Sequence, residues 1–300
     1  AEEGATVAVG GRHAEELEWL AGEIGGMAVT CDITKMEDIK SSIGAIMDAH
    51  GKIDIAVNAT GLGLLAQFEE TTEEELNMMM DLQFKGPYQW MQVLVGVMSD
   101  PSSIIQISSA TATILVGNHH AYIGTKAGID HVVRGVADEY GAKGIRVNSI
   151  SPGLTASPMA APHLETPGLL EAFLKNYPLG RLNTSEDIAA AAVFLGSDEC
   201  YMTGQNLQVN GGLTLRRNPL PSEIEESVMA AMAAAQAMYG SAAAAAADRT
   251  GAGGGEGGGG AEGAAGLPFM PWMGQYGSYS SQAGGGGGAA GGAGGGGGGG

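Results

Sequence analysis

Short apolar runs alternate with segments of helical periodicity along most of the chain, and this alternation limits the possible folds more than any other feature. Runs such as "ATVAVGG", "SSIIQISS" and "IRVNSISPG" are short and apolar, which is typical of buried strands. The segments between them, such as "KMEDIKSSIGAIMDAHG", place apolar residues at helical spacing. Because the connections are short, the pattern predicts an α/β fold: a doubly wound parallel sheet with helices on both faces, in three layers.

The pattern changes after residue 217, and the chain divides there into three predicted regions. Residues 1–217 carry the alternation and form the predicted α/β domain. Residues 218–247 strongly favour helix by propensity and are predicted to be a helical extension. Residues 248–300 are rich in Gly and Ala, and roughly half of the 52 glycines follow Tyr239. Glycine has no side chain to bury and loses the most backbone entropy on ordering, so this tail is predicted to be disordered.

The charge and cysteine content exclude several classes of function. A net charge of −19, from 14 basic and 33 acidic residues, leaves no basic patch for a nucleic-acid partner. No apolar run approaches the roughly 20 residues of a membrane span, and no signal peptide is visible, so a cytoplasmic protein is predicted. Cys31 and Cys200 have no metal-site spacing, and we interpret them as small buried apolar residues; no metal site is predicted.

The stretch "SSATATILVGNHHAYIGTK" carries the strongest catalytic signal. Ser109 ends a predicted strand, Tyr122 follows 13 residues later in a predicted helix, and Lys126 lies four residues further on. Residues four apart share one face of a helix, so the Lys126 ammonium is predicted to lower the pKa of the Tyr122 phenol. A phenol tuned in this way can act as a general acid or base. Ser109, at the carboxyl edge of the sheet where such folds bind ligands, can hydrogen-bond a substrate oxygen.

These residues, together with the segments around them, resemble the short-chain dehydrogenase/reductase family, and within it the 3-oxoacyl-carrier-protein reductase-like group. The resemblance covers about Ala1 to Leu215 and includes "CDIT", "NATG", "RVNSISPG" and the block "PLGRLNTSEDIAAAAVFLGSDECYMTGQNLQVNGG". It implies a Rossmann-like fold and hydride transfer between a nicotinamide cofactor and a carbonyl or secondary alcohol. In that scheme Tyr122 protonates the forming alkoxide, Lys126 lowers the pKa of Tyr122 and binds the nicotinamide ribose, and Ser109 orients the carbonyl.

The resemblance also implies a set of cofactor-binding residues. Tyr122 and Lys126 belong to this set as well as to the catalytic one. The remaining positions lie near the adenine, its ribose and the nicotinamide: Asp32, Ile33, Asn58, Ala59, Gly61, Pro152, Gly153, Thr155 and Ser157.

The choice between the two nicotinamide cofactors depends on the end of the strand "ATVAVGG", which corresponds to the second strand of the family. Family members that prefer NAD have an acid there, which binds the ribose 2′-hydroxyl and repels a 2′-phosphate. This chain has Gly11 followed by Arg12, and a guanidinium grips phosphate well, so NADP is predicted and NAD is the less favoured alternative. Arg12 equally fits the role of a solvated residue at the start of a helix.

The resemblance implies partners as well. The substrate is expected to be a small carbonyl or alcohol compound or an acyl thioester, bound under a substrate segment at residues 160–177. Relatives commonly pair subunits through helices that correspond to residues 73–98 and to the Tyr122 helix, which implies a homodimer or homotetramer.

Two departures from the family pattern affect the functional reading. Gln83 takes the position of the asparagine that the family uses in its proton relay, and its amide reaches one methylene further. The first strand and the Thr-Gly-x-x-x-Gly-x-Gly turn of the family lie before the segment with which this sequence begins. The sequence is therefore interpreted as a fragment or a chain with a misassigned start, in which two neighbouring strands have unpaired edges. The alternative function is a non-catalytic remnant that acts as a scaffold or interaction protein.

Overall fold

The computed structural model describes residues 1–157, 160 and 164–249, so almost all of the predicted tail over 248–300 lies outside the described residues. The strands within the described residues are β1 (Ala8–Gly11), β2 (Met27–Thr30), β3 (Ile55–Asn58), β4 (Ser102–Ile107), β5 (Ile145–Pro152) and β6 (Asn206–Val209). The helices are α1 (Ala14–Ile24), α2 (Met36–His50), α3 (Glu73–Met80), α4 (Gly86–Leu94), α5 (His120–Tyr140), α6 (Leu169–Leu174), α7 (Ser185–Gly196) and α8 (Pro221–Arg249).

The described strands are all parallel but form two separate sheets. One sheet contains β1 and β2, and the other has the order β3-β4-β5-β6. Parallel pairing with helical crossovers confirms the predicted α/β class. No described strand pairs with the second side of β1 or of β3, which agrees with the gap expected from the sequence. Ile55 and Val57 of β3 are each 46% exposed as a result.

The main hydrophobic core lies on the four-stranded sheet. Ile104 of β4 and Ile145 of β5 are completely buried, and they pack with Ile129 of α5 and Leu94 of α4. Ile39 of α2 also belongs to this core, so α2 ties the small sheet to the larger one. The core therefore holds α5, which carries the predicted catalytic tyrosine and lysine, rigidly against β4 and β5.

The sequence places Pro87 inside a long helical region over residues 73–98 and predicts a kink or break there, but the interruption lies one turn earlier. α3 ends at Met80, a π-helical turn covers Asp81–Lys85, and α4 starts at Gly86. Pro87 has no N–H to donate to the carbonyl of Gln83, so the irregular hydrogen bonding falls before the proline. The turn includes Gln83, which is buried and directed toward α5.

The start of α7 differs slightly from the sequence prediction. The pattern Ser-x-x-Asp suggested Ser185 as the capping residue, but the cap is Thr184. The Thr184 hydroxyl accepts from the backbone N–H of Asp187, and the Asp187 carboxylate accepts from the backbone N–H of Thr184. A capping box needs the acid three residues after the N-cap residue. Asp187 lies three residues after Thr184 but only two after Ser185, so Thr184 is the cap.

Candidate active site

Ser109 follows the carboxyl end of β4, where a short 3₁₀ turn (Ala110–Ala112) begins. Its hydroxyl oxygen accepts from the Thr111 backbone N–H at 3.2 Å and from the Thr111 hydroxyl at 2.9 Å. Its carbonyl accepts from the Ser151 hydroxyl of β5 at 3.0 Å. These contacts, with burial of the whole residue, fix the side chain at the sheet edge.

Tyr122 lies in the first turn of α5 and is brought to Ser109 by the packing of α5 on the sheet. Burial raises the pKa of the Tyr122 phenol above its ordinary value, and a hydrogen bond with the Ser109 side chain opposes that rise. The prediction that Lys126 lowers this pKa is therefore wrong for the arrangement seen here. The Lys126 ammonium lies 5.7 Å from the centre of the Tyr122 ring, over its face, and is not among the causes of the Tyr122 pKa shift.

Lys126 is almost completely buried one turn after Tyr122, as the helical spacing predicted. Its Nζ donates to the Ile107 carbonyl at 3.0 Å, at the end of β4. Burial lowers the Lys126 pKa to about 8, while the carboxylate of Asp130 raises it. Part of the Lys126 population is therefore neutral just above neutral pH, so this side chain can exchange a proton there.

Gln83 and Gly61 complete the predicted set around Lys126. The Gln83 Nε2 approaches the Thr125 hydroxyl of α5 at 3.4 Å. Its Oε1 is buried and has no hydrogen-bond partner among the described residues. A Cβ added at Gly61 would lie 3.2 Å from that Oε1 and 3.6 Å from the Lys126 Nζ. The three residues thus surround one small space, with an unused acceptor and an ammonium beside it.

Asp130 is a partly buried acid near this site that the sequence reasoning missed. Its Oδ2 accepts from the Asn206 amide of β6 at 2.7 Å, and Asn206 also donates to the hydroxyls of Ser149 and Ser151. Burial raises the Asp130 pKa, whereas the Ser149 and Ser108 hydroxyls lower it. The network links α5, β5 and β6 below Ser109. Asp130 lies one turn beyond Lys126 on the same face of α5, and this spacing was the sequence signal that could have identified it.

The predicted residues after β2 and β3 are held largely by contacts within the protein. Asp32 accepts from the backbone and hydroxyl of Thr34, and the Ile33 side chain belongs to the main core. The Asn58 amide oxygen accepts from the backbone and hydroxyl of Thr60, and its nitrogen donates to Gln106 at 2.9 Å. Ala59 beside it is exposed.

Arg12 follows β1 in the small sheet and is exposed to solvent. It precedes α1, whose N-cap residue His13 makes no capping hydrogen bond through its side chain. The structure thus leaves both sequence interpretations of Arg12 open, as a phosphate ligand and as a solvated residue at a helix start.

The loop after β5 is clamped by two residues that the sequence reasoning did not select. The Tyr177 hydroxyl accepts from the Leu154 backbone N–H at 2.6 Å, and burial raises the pKa of Tyr177 to about 12. Asn183 exchanges backbone hydrogen bonds with Leu154 and Ala156. A Cβ at Gly153 would collide with the Tyr177 hydroxyl, so glycine is required there. Nothing in the sequence pattern connects Tyr177 with a residue 23 positions before it.

The other predicted residues of this loop are part of the same clamp. Pro152 ends β5 and pairs with Val209 of β6. The Thr155 hydroxyl donates to the Gly153 carbonyl at 3.0 Å, and Ser157 is partly buried at the end of the described loop.

Two features of the described residues, their possible metal ligands and the hydropathy of their helices, bear on other functions. Within residues 1–157, 160 and 164–249 no group of three or more His, Cys, Asp or Glu side chains is arranged to hold a metal ion. None of the described helices is long and apolar enough to cross a bilayer. The predicted cytoplasmic location stays a prediction.

Comparison with known proteins identifies the family. A family model described as enoyl-(acyl carrier protein) reductase matches residues 1–214, well over half of the chain. The 3-oxoacyl-[acyl-carrier-protein] reductase of Thermotoga maritima is 31% identical over 223 residues, which cover 72% of this chain and 90% of that protein. The chain belongs to the short-chain dehydrogenase/reductase family.

Other members of the short-chain dehydrogenase/reductase family resemble the chain to a similar degree. The D-threitol dehydrogenase of Mycolicibacterium smegmatis is 31% identical over 224 residues, 72% of this chain and 86% of its own. A short-chain type dehydrogenase/reductase structure from Mycobacterium ulcerans superposes with a TM-score of 0.71 at 29% identity, covering 75% of this chain and 89% of that one.

Membership of the family supports a general function. The chain is a Rossmann-like oxidoreductase of a family whose members bind NAD(P), act on small molecules and are commonly oligomeric. These homologues do not indicate one substrate for the chain. D-threitol and an acyl thioester on a carrier protein differ in size and polarity.

Proposed function

We propose that this protein transfers hydride between NADP and a small carbonyl or secondary alcohol compound, with Tyr122 as the general acid/base. The observation that carries the proposal is the buried cluster in which Ser109 hydrogen-bonds Tyr122 while Lys126 lies one helical turn beyond it. A 3-oxoacyl thioester is the substrate class that the sequence resemblance favours, and a 31% identical reductase of that class supports it.

The proposed chemistry assigns one task to each side chain. When bound, the nicotinamide would supply hydride to the carbonyl carbon or accept it from the alcohol. Tyr122 donates its proton to the developing alkoxide, and its raised pKa keeps it protonated and ready to do so in reduction. Ser109 donates a hydrogen bond to the same oxygen and stabilises its charge. Lys126, with a pKa of about 8, returns a proton toward Tyr122.

The residues around Lys126 fit the nicotinamide end of such a cofactor. The Gln83 Oε1, which has no partner among the described residues, and the Lys126 ammonium offer an acceptor and a donor, and Gly61 lies close to both. Gly153 and Thr155, which the resemblance places along the nicotinamide, lie in a loop held by Tyr177. Asp32, Ile33, Asn58 and Ala59 remain proposed contacts of the adenine half.

The preference for NADP rests on Arg12. An exposed guanidinium after β1, with no acidic residue beside it in "GGRHA", would bind a 2′-phosphate rather than a 2′-hydroxyl. Arg12→Ala is expected to weaken NADPH binding by roughly tenfold and to leave NADH binding unchanged, the size of a lost charged hydrogen bond. Equal effects on the two cofactors would argue for NAD.

Tyr122→Phe tests the proposal directly. In an assay of NADPH oxidation with a panel of ketones and acyl thioesters, the substitution is expected to lower kcat/KM by about 100-fold or more, the size of general acid catalysis. Tyr201→Phe is the matched control, since Tyr201 is fully exposed. Turnover by the Tyr122→Phe variant at the parent rate would disprove the assignment.

The split sheet favours a second candidate, a non-catalytic scaffold. β1 and β3 are edges of separate sheets, and the family places its phosphate-binding turn after a strand between them. Titration with NADPH, followed by its fluorescence, separates the two functions. Saturable binding below millimolar cofactor supports the enzyme, whereas no binding supports the scaffold.

We also propose a homo-oligomer, as in the family. α3 and α4, within residues 73–98, carry exposed apolar side chains such as Met80 and Tyr88. Light scattering gives the mass in solution, and a monomer at micromolar concentration would contradict the proposal.

A further inference from the structure

α8 extends beyond residues 1–214, which the family model matches, yet it packs tightly on the domain. Ile224 and Val228 on one face of α8 are 1% and 2% exposed. They contact Leu169 and Ala172 of α6, which are also buried, and form a separate apolar cluster with them. The two helices therefore behave as one packed unit at this point.

The entry into α8 is fixed to the loop between Ser109 and Tyr122. The Asn218 amide donates to the Leu115 carbonyl at 3.1 Å, and Asn218 is almost completely buried. A Cβ at Gly117 would lie only 2.7 Å from the Pro221 ring, so the loop touches the helix start closely. The Arg217 guanidinium forms two hydrogen bonds with Glu223, which hold the first turn in place.

A second attachment lies at the start of α6. The Ser227 hydroxyl donates to the Gly168 carbonyl at 2.7 Å. Gly168 has a φ of +84°, and a Cβ there would collide with the Ser227 carbonyl. Backbone conformation and close approach both require glycine at this position.

Phe173 connects this region with the candidate active site. Its side chain packs on the α6–α8 cluster and also on a cluster that contains Ala110, Leu154 and Tyr177. Ala110 directly follows Ser109, Leu154 directly follows Gly153, and Tyr177 binds the Leu154 N–H. One continuous set of packed side chains thus runs from α8 through α6 to both loops of the site.

We propose that α8 is a specificity-determining element, which fixes the position of α6 and thereby the wall of the substrate site between Ser109 and Gly153. The specificity part rests on the proposed oxidoreductase function; the positioning part does not. Ile224 and Ser227 are the positioning residues, and Phe173 carries their effect to the site.

Hydrogen exchange in the full chain tests the positioning without any turnover. Ile224→Ala and, as a milder change, Ser227→Ala are compared with Met229→Ala, a matched control on the exposed side of α8. The two test variants are expected to raise the exchange rate of the α6 amides and of the Leu154 amide by about tenfold. Amides of α2 should not change. Faster exchange in α6 with an unchanged Leu154 amide would overturn the proposal, because the effect would then stop at the direct contact.

The specificity is tested with two ketones, one small and one with a bulky substituent. In Ser227→Ala the ratio of kcat/KM values for the bulky and small ketones is expected to change at least about fivefold, with kcat for the small one retained. Met229→Ala should keep the parent ratio. An unchanged ratio despite faster exchange at Leu154 would mean that α8 has a structural role only. A parent chain that reduces neither ketone would refute the proposed function, and the exchange result would still decide whether α8 positions the loops.

Discussion

The two sheets of this molecule differ in how completely they are buried. β4 and β5 are buried along nearly their whole length, whereas β1 and β2 have one buried residue between them, Val29. α1, which accompanies the small sheet, buries only Ala21 and leaves Trp19 68% exposed. The proposed catalytic residues lie after β4, on α5 or in the turn before α4, all of which pack with the large sheet, and Arg12 and Asp32 lie at the end of the small one.

This difference separates two requirements of one enzyme. Acid–base chemistry needs side chains whose positions are fixed to within about 0.5 Å, and packing on the large core supplies that rigidity. Adenine and phosphate recognition depends on the small sheet, which has few buried contacts and an unpaired edge on β1. An intact catalytic cluster and a competent cofactor site are therefore separate properties of this chain.

The largest effect is expected in the core of the four-stranded sheet. Ile104→Ala removes a completely buried side chain at the centre of the main cluster, which should lower the free energy of unfolding by about 4 kcal/mol. Leu20→Ala on the partly exposed α1 is the counterpart and should cost less than about 1 kcal/mol. Urea denaturation measures both. Equal losses would show that the two halves are equally well packed.

Hydrogen exchange of the parent chain probes the same contrast without substitution. The amides of β4 and β5 should exchange at least about 100-fold more slowly than those of β1 and β2, because sheet edges with few buried contacts open locally. Exchange is read residue by residue by NMR. Protection of β1 comparable with that of β5 would mean that the small sheet opens only with global unfolding.

Titration of Lys126 should be visible in the pH dependence of stability. Its pKa is about 8 in the folded chain and 10.5 in the ordinary state, so the unfolded chain binds more protons between these values and stability rises with pH. Between pH 8 and 10 the parent should gain about 2 kcal/mol relative to Lys126→Met. The raised pKa values of Tyr122 and Tyr177 act above pH 10 and occur in both chains. Parallel curves of stability against pH for the two proteins would show that folding does not lower the pKa of Lys126.

The smallest effect concerns the start of α1. α3 and α7 begin with capping boxes at Thr72 and Thr184, but the N-cap residue of α1, His13, makes no side-chain cap. His13→Ser would complete a capping box with Glu16 and should stabilise α1 by about 0.5–1 kcal/mol, seen as slower amide exchange in that helix. His13→Ala serves as the control. Loss of protection in the serine variant would contradict the assigned helix start.

Much of the architecture follows from local patterns. Helical spacing predicts α2 and residue propensity predicts α8, and the placement of Tyr122 and Lys126 on one face of α5 needs no information beyond their separation of four residues. The kink before α4 was less well predicted, because the effect of Pro87 falls on the hydrogen bond of an earlier residue. The clamp by Tyr177 could not be predicted at all, since it joins segments separated by a loop.

The sequence by itself determined the strand–helix order, the helix faces and the spacing of Ser109, Tyr122 and Lys126, because these depend on residues within a few turns of one another. The tertiary structure alone decided two other properties: the rise in the Tyr122 pKa and the seating of α8 on α6. Each depends on which distant segments exclude water from a given side chain. Burial raises the pKa of Tyr122 for that reason, although the spacing alone suggested the opposite.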